Sequence, residues 1–168
     1  KGEVSALLEA LPAQLGATAG IGHTRWSTHG EPTDANAHPQ TNEAGDVAVV
    51  HNGIIENYER LQAELRADGH RFTSETDTEV IPHLIEDAIA AGDDLVRAVT
   101  TVTDQLKGNF AFCVVTADHG GSVATQSGNP LVLGHADHGL FLASDVPAFV
   151  EQTRYVSYPE DGDVIHLT

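Results

Sequence analysis

The chain has 168 residues, of which 40% are hydrophobic, and it carries 25 acidic against 8 basic side chains, a formal net charge of -17. This length predicts one globular domain with a sizeable core. The negative charge repels anionic partners, so we expect no binding to nucleic acid or to a membrane surface. No apolar stretch approaches the roughly 18 residues of a transmembrane helix, and we find no signal peptide, which predicts a cytoplasmic location.

The excess of acidic side chains also bears on the source of the protein. Self-repulsion at this charge density is screened by concentrated salt. We therefore expect a salt-adapted protein. An ordinary acidic cytosolic protein is the alternative.

Ten histidines and one cysteine limit the metal sites that the sequence allows. Cys113 lies in the apolar run 110–115, and a single cysteine excludes an internal disulfide and a cysteine-based metal cluster. We predict that Cys113 is a buried packing residue. His23, His29 and His38 are close in sequence, but their spacing matches no zinc motif. We therefore expect no metal and no cofactor, with a zinc-dependent hydrolase as the alternative.

Hydrophobic periodicity predicts the elements in chain order. The first part is a short helix, an extended segment, a turn-rich loop and a buried strand, at 3–11, 20–26, 32–39 and 46–51. Three helices follow, at 57–68, after residue 76, and from 95 to 106. Short extended segments complete the chain, with one short helix at 146–152; the extended segments lie at 109–116, 122–126, 131–135, 139–143, 154–158 and 164–167. Strands, then helices, then strands predict an α+β fold in which a mostly antiparallel sheet packs against helices.

Capping residues predict where two of these helices begin. Asn57 is suited to cap the helix at 57–68, and Gly69 is suited to end it. Thr76 and Glu79 have the spacing of a capping box for the next helix. Pro82 lies within the first turns of that helix, so the sequence does not fix the residue at which the helix begins.

Three polar segments carry residues suited to bind a ligand. The first, HTRWSTHG at 23–30, contains Arg25, whose guanidinium can pair bidentately with a carboxylate, although a structural salt bridge is the alternative. The second, Asn52 and Gly53 after an apolar strand, is either a hairpin turn or an oxyanion hole. The third segment, 74–79, contains Asp77, whose carboxylate either interacts favourably with a helix dipole or binds an ammonium group.

These three segments, in this order and with IIEN at 54–57, resemble the glutaminase domain of the glucosamine-6-phosphate synthases, or glutamine:fructose-6-phosphate aminotransferases. The resemblance covers essentially the whole chain through further segments at 36–39, 80–85, 127–132, 143–145 and 160–163. It implies a class II, N-terminal-nucleophile amidotransferase: a layered sandwich of antiparallel sheets and helices. Amidophosphoribosyltransferases, also of class II, carry tyrosine in place of Trp26 and lack the IIEN run, which favours the synthases.

The resemblance also implies roles for individual residues. Arg25 would bind the α-carboxylate of glutamine and Asp77 its α-ammonium group. Thr28 and His29 would line the pocket. The Asn52 side chain and the Gly53 N–H would form an oxyanion hole. Trp26 would face the ammonia channel.

The family nucleophile is a cysteine at the mature amino terminus, whereas this chain begins with Lys1 and Gly2. We therefore expect residues 1–168 to be an incomplete type-2 glutamine amidotransferase domain, with the first strands upstream and isomerase domains downstream. The complete protein, a homodimer, would then hydrolyse L-glutamine and supply ammonia to fructose 6-phosphate, while this chain alone would be inactive. The alternatives are a non-catalytic glutamine-sensing module and another class II amidotransferase such as amidophosphoribosyltransferase.

Overall fold

A computed structural model describes residues 2–12, 16–26 and 30–168. None of the helices within these ranges is long and apolar enough to span a bilayer. The described helices, in chain order, are α1 (Val4–Ala10), α2 (Tyr58–Ala67), α3 (Val80–Ala90) and α4 (Leu95–Thr103). The strands are β1 (Gln40–Thr41), β2 (Val47–Gly53), β3 (Phe110–Thr116), β4 (Ser122–Ser127), β5 (Val132–Ala136), β6 (Gly139–Ala143), β7 (Tyr155–Ser157) and β8 (Val164–Leu167).

The strands form two antiparallel sheets. One has five strands in the order β1-β2-β3-β4-β8, and the other has three in the order β6-β5-β7. β2 and β3 are neighbours, with His51 opposite Phe112, although α2, α3 and α4 separate them in the chain. The predicted α+β architecture with antiparallel sheets is confirmed.

The main core lies between one face of the five-stranded sheet and helices α2 to α4. Alternate residues of a strand point to the same face, so β2 contributes Val47 and Val49 while β3 contributes Phe112 and Val114. The helices supply buried aliphatic side chains such as Ile81. This packing places the carboxyl end of β2 beside the turn that precedes α3.

The opposite face of the same sheet carries a smaller apolar cluster. Ala111, Cys113, Ala124 and Leu131 are its buried members, and Leu142 of β6 packs against it. Burial raises the pKa of the Cys113 thiol to about 11, although a hydrogen bond with Ser122 partly opposes this. The prediction that Cys113 is a buried packing residue is confirmed.

Two predicted elements differ in the structure. The segment 20–26 belongs to no strand, because none of the described strands pairs with it. The predicted helix at 146–152 is only the 3-10 turn Val146–Ala148. The Asp145 side chain accepts the N–H of Val146 at 2.7 Å and starts this turn.

The predicted helix caps were also partly wrong. Asn57 occupies the N-cap position of α2 without a capping bond, because its side chain bridges to the backbone of Gln105 and Lys107 instead. Thr76 and Glu79 form no capping box: Glu79 accepts N–H groups from other residues of the preceding segment. Gly69 does follow the end of α2, with a φ of +106°.

Candidate functional site

Two segments distant in sequence meet at the end of β2. The 3-10 turn Asp77–Glu79 precedes α3, and the Asp77 carboxylate accepts the backbone N–H of Ile55 at 2.8 Å. The next residue, Thr78, places its hydroxyl 2.8 Å from Nδ1 of His51. Asp77, Thr78 and His51 are all buried. These two bonds fix the Asp77 turn against the strand that carries Asn52 and Gly53.

A third segment, 20–38, joins this pair through two histidines. Nε2 of His23 lies 2.7 Å from the side-chain oxygen of Asn52. The ring of His38 stacks on His23, with centroids 4.3 Å apart, and its Nδ1 accepts the N–H of His51 at 3.3 Å. The polar segments that the sequence pointed to are therefore neighbours in the fold.

Two histidines at this junction, the half-buried His38 and the buried His51, are neutral at physiological pH. Burial, followed by the charges of His23, His51 and Arg25, lowers the pKa of His38 to about 3. Burial also lowers the pKa of His51 to about 4, although the Asp77 carboxylate opposes this shift. Each of these two rings therefore acts as a neutral donor and acceptor, consistent with His38 accepting an N–H.

Asn52 and Gly53 are the last two residues of β2, where they pair with β3. The hairpin interpretation is therefore wrong, since the chain continues into α2. The N–H of Ile54 points to β3 and donates to the Asn109 carbonyl at 3.0 Å, whereas the N–H of His51 points to His38 on the other side. Because alternate N–H groups of a strand face the same edge, the Gly53 N–H is directed to the His38 side.

Glycine is required at position 53. Its φ is +112°, and a Cβ there would overlap the Asn109 carbonyl oxygen and Nδ2 of Asn129. Nδ2 of Asn129 donates to the backbone oxygens of Asn52 and Asn109, at 3.1 and 3.3 Å. Asn129 thus holds the end of β2, a role that its place in the matched segment 127–132 did not reveal.

Arg25 lies against the loop that follows it. Its guanidinium reaches the carbonyl oxygens of Gly30 and Glu31, at 3.4 and 3.5 Å. The buried side chain of Asn36 links this loop to the Asp77 segment, since it donates to the Glu31 carbonyl at 3.0 Å and accepts the N–H of Glu75 at 2.9 Å. Asn36 is a positioning residue that sequence reasoning missed, although it lies in the matched segment 36–39.

The other predicted site residues are Trp26, Thr28 and His29. Trp26 is 88% exposed. Thr28 and His29 lie outside the described residues. A cleft of about 560 Å³ opens beside Asn52 and His23, and Cys113 is one of the residues that line it. Because burial raises the pKa of Cys113, its thiol is not the activated nucleophile that such a cleft would need.

The arrangement is suited to bind a small zwitterion and to stabilise an anion. The Arg25 guanidinium and the Asp77 carboxylate lie on segments that Asn36 links. Asp77 is bonded to Ile55, just beyond the end of β2, where Asn52 and Gly53 supply a side-chain amide and a backbone N–H. Two oriented donors of this kind stabilise the negative charge that develops on a carbonyl oxygen.

Comparison with known proteins identifies the family of this chain. The family model described as "Glutamine amidotransferase domain" matches residues 23–151. A glutamine–fructose-6-phosphate aminotransferase (isomerizing) of Halobacterium salinarum is 57% identical over 94% of this chain, and one of Thermus thermophilus is 49% identical over 99% of it. The chain spans only 26% and 28% of the length of these two relatives.

Among solved structures, the glutamine phosphoribosylpyrophosphate amidotransferase of B. subtilis superposes with a TM-score of 0.72 and 28% identity. The alignment covers 86% of this chain and 31% of that one. The α+β fold with antiparallel sheets is thus shared with an amidotransferase of known structure. Because the family model also spans well over half of the residues, this chain belongs to the glutamine amidotransferase domain family.

Proposed function

We propose that this chain binds L-glutamine at the junction of the segment 23–30, the end of β2 and the Asp77 turn. Arg25 pairs with the α-carboxylate and Asp77 with the α-ammonium group, while Thr28 and His29 line the pocket. The observation that carries this proposal is the bond between the Asp77 carboxylate and the N–H of Ile55. Ile55 is two residues beyond Gly53, so this bond holds an acid close to the proposed oxyanion donors. Opposite charges at the two ends of an amino acid place its side-chain amide in one position.

The proposed reaction is glutamine hydrolysis through a thioester. A cysteine thiolate attacks the amide carbon, and the negative charge on the oxygen is stabilised by the Asn52 side chain and the Gly53 N–H. The α-amine of that cysteine takes the thiol proton when the thiolate forms and gives it to the amide nitrogen as the C–N bond breaks, so that ammonia leaves. Water then cleaves the thioester to glutamate and the free thiol. Burial raises the pKa of the Cys113 thiol and so disfavours its thiolate, and the proposal therefore assigns the nucleophile to an amino-terminal cysteine outside the 168 residues.

We further propose that the whole protein is a glutamine–fructose-6-phosphate aminotransferase (isomerizing). The printed names of the relatives in Halobacterium salinarum and Thermus thermophilus support this assignment. In such a protein, isomerase domains downstream would receive the ammonia and convert fructose 6-phosphate to glucosamine 6-phosphate. The exposed Trp26 would face the route that ammonia takes, and two copies would form a homodimer.

The proposal also includes the conditions in which the protein works. The net charge of -17 supports a salt-adapted, cytoplasmic enzyme without nucleic-acid or membrane partners, because such a surface repels polyanions and is stabilised by screening.

The experiment that tests the function uses the full-length natural protein. It is incubated with glutamine, with and without fructose 6-phosphate, and glutamate, ammonia and glucosamine 6-phosphate are measured. We expect glutamate release, with glucosamine 6-phosphate forming only when the sugar phosphate is present. Glutamine binding without turnover would identify a sensing module instead. Phosphoribosylamine formed from phosphoribosyl pyrophosphate would identify an amidophosphoribosyltransferase.

A further inference from the structure

A second group of titratable side chains lies away from this site, between the end of α2 and α3. His70 follows Gly69, where the chain reverses after α2. His83 and Glu86 lie on α3 three residues apart and therefore share one face of the helix. One donor atom from each of the three lies within 4.8 Å of the other two.

The donor atoms form a triangle of metal-site dimensions. Nδ1 of His70 is 3.1 Å from Nδ1 of His83, and Oε2 of Glu86 is 3.6 Å from each of these nitrogens. A point about 2.0 Å from all three atoms lies inside this triangle, which is the length of zinc–nitrogen and zinc–oxygen bonds.

Hydrogen bonding leaves this group unsatisfied. The distance of 3.6 Å from Glu86 to each histidine is too long for a hydrogen bond, and the buried Oε2 of Glu86 has no hydrogen-bond partner in the described part of the chain. The two histidines can share only one proton between their facing nitrogens. A cation at the centre would satisfy all three atoms at once, whereas a buried carboxylate oxygen without a partner is costly.

A neighbouring carboxylate prepares His70 for this role. Nε2 of His70 lies 3.0 Å from Oδ1 of Asp87, so the proton of a neutral ring belongs on Nε2 and the lone pair on Nδ1 faces the other two donors. A carboxylate that holds the outer N–H of a ligating histidine is a common feature of zinc sites.

We propose that His70, His83 and Glu86 bind one divalent transition-metal ion, with Zn²⁺ as its best-matched occupant. Two imidazoles and one carboxylate are ligands that zinc accepts. A water would take the fourth position of such a site.

The ion would have a structural role. It would tie the segment after α2 to α3, the helix that directly follows the Asp77 turn. The inference is independent of the proposed enzymatic reaction, because it concerns binding of a cation by groups outside the glutamine site.

Zinc binding to the full-length natural protein, stripped with a chelator and titrated by calorimetry, tests the proposal. We expect one equivalent of zinc per chain. The dissociation constant should be at least about tenfold higher in Glu86→Gln, and it should also be higher in Asp87→Asn. Co²⁺ in place of Zn²⁺ should give the visible absorption of a four-coordinate histidine site, and Glu86→Gln should abolish it. His70→Gln serves as a second ligand variant.

The matched control is His166→Asn. His119 and His166 form another close pair, with their Nε2 atoms 2.8 Å apart, but no acid completes a third corner among the described residues. This variant should bind zinc as the unsubstituted protein does. Circular dichroism in chelator checks that each variant is folded. Absence of zinc binding, or equal affinity in Glu86→Gln, would overturn the proposal and leave a hydrogen-bonded histidine pair.

Discussion

The side-chain oxygen of Asn52 lies 2.7 Å from Nε2 of His23. An amide oxygen only accepts, so His23 donates, and the NH₂ group of Asn52 must point away from the His23 ring. This bond joins residues 29 apart in the chain. It orients Asn52 as the proposed oxyanion hole requires, with its donor available to a substrate.

Replacing Asn52 with alanine should lower the glutaminase turnover of the full-length protein by roughly 10²–10³-fold. The Michaelis constant for glutamine should change little, because the donor acts on charge that develops in the transition state. Glutamate release under saturating glutamine measures the effect. The control, Gln152→Ala, removes an exposed amide and should leave turnover unchanged. A rise in the Michaelis constant alone would contradict the assignment.

His23→Ala tests the positioning of Asn52. We expect turnover to fall about tenfold, less than in Asn52→Ala, because the amide remains but loses its fixed orientation. His23→Gln keeps a side-chain donor and should recover part of the loss. Steady-state kinetics measure the turnover of the two variants. Equal turnover in His23→Ala and the unsubstituted protein would show that the bond between His23 and Asn52 has no positioning role.

Asp77→Asn should weaken glutamine binding by about 10–100-fold, because a charge-assisted bond to an ammonium group contributes about 1.5–3 kcal/mol. The asparagine oxygen can still accept the Ile55 N–H, so the fold should persist. Calorimetry with glutamine measures the dissociation constant. Asp93→Asn changes an acid that pairs with Arg97 on α4, far from the site in sequence, and should bind glutamine normally. Similar losses in both variants would argue against a specific ammonium contact.

Glu79 should stabilise the segment that leads into the Asp77 turn. This 1%-exposed carboxylate accepts the N–H groups of Thr73 and Ser74, both at 2.7 Å, and the Ser74 hydroxyl at 2.6 Å. Glu79→Ala leaves these donors without a partner and should lower the free energy of local opening by about 2–4 kcal/mol. Hydrogen exchange of the two amides measures it. Unchanged protection, relative to the exposed control Glu151→Ala, would refute this role.

Acid should destabilise the site through His51. Its pKa is lowered to about 4 in the folded chain from about 6.5 when unfolded. The unfolded state therefore binds more protons between these values, and stability is lost as pH falls from about 6.5 to about 4, by about 1.4 kcal/mol per pH unit at most. Calorimetric unfolding across this range should show a smaller pH dependence in His51→Gln. An identical dependence in both proteins would exclude His51 as the cause.

Salt should raise the unfolding temperature. The net charge of -17 implies repulsion between acidic groups that molar potassium chloride screens, since the Debye length falls to about 3 Å at 1 M. Calorimetric scans from low to molar salt test the salt-adapted interpretation. A flat or falling unfolding temperature would contradict it.

Short-range patterns were enough to predict most of the elements. Apolar residues alternate in β2 and form a helical stripe that includes Ile81 and Ile85, because one face of each element is buried. Residues close in sequence are enough to show this periodicity. The motifs at 23–30 and 51–53 and the residue Asp77 likewise pointed to one site, and the roles of these residues in glutamine binding stay predictions.

By itself, the sequence determined the α+β class and the position of most strands and helices, and it predicted the residues of a glutamine site. Only the tertiary structure decided that His23 holds Asn52, that Asn129 holds the end of β2 from 77 residues away, and that Glu79 bonds to Thr73 and Ser74 instead of capping a helix. It also brought His70 to His83 and Glu86. Local rules weigh a residue against its sequence neighbours, whereas buried polar groups take whichever partner the packing of distant segments brings within hydrogen-bond reach.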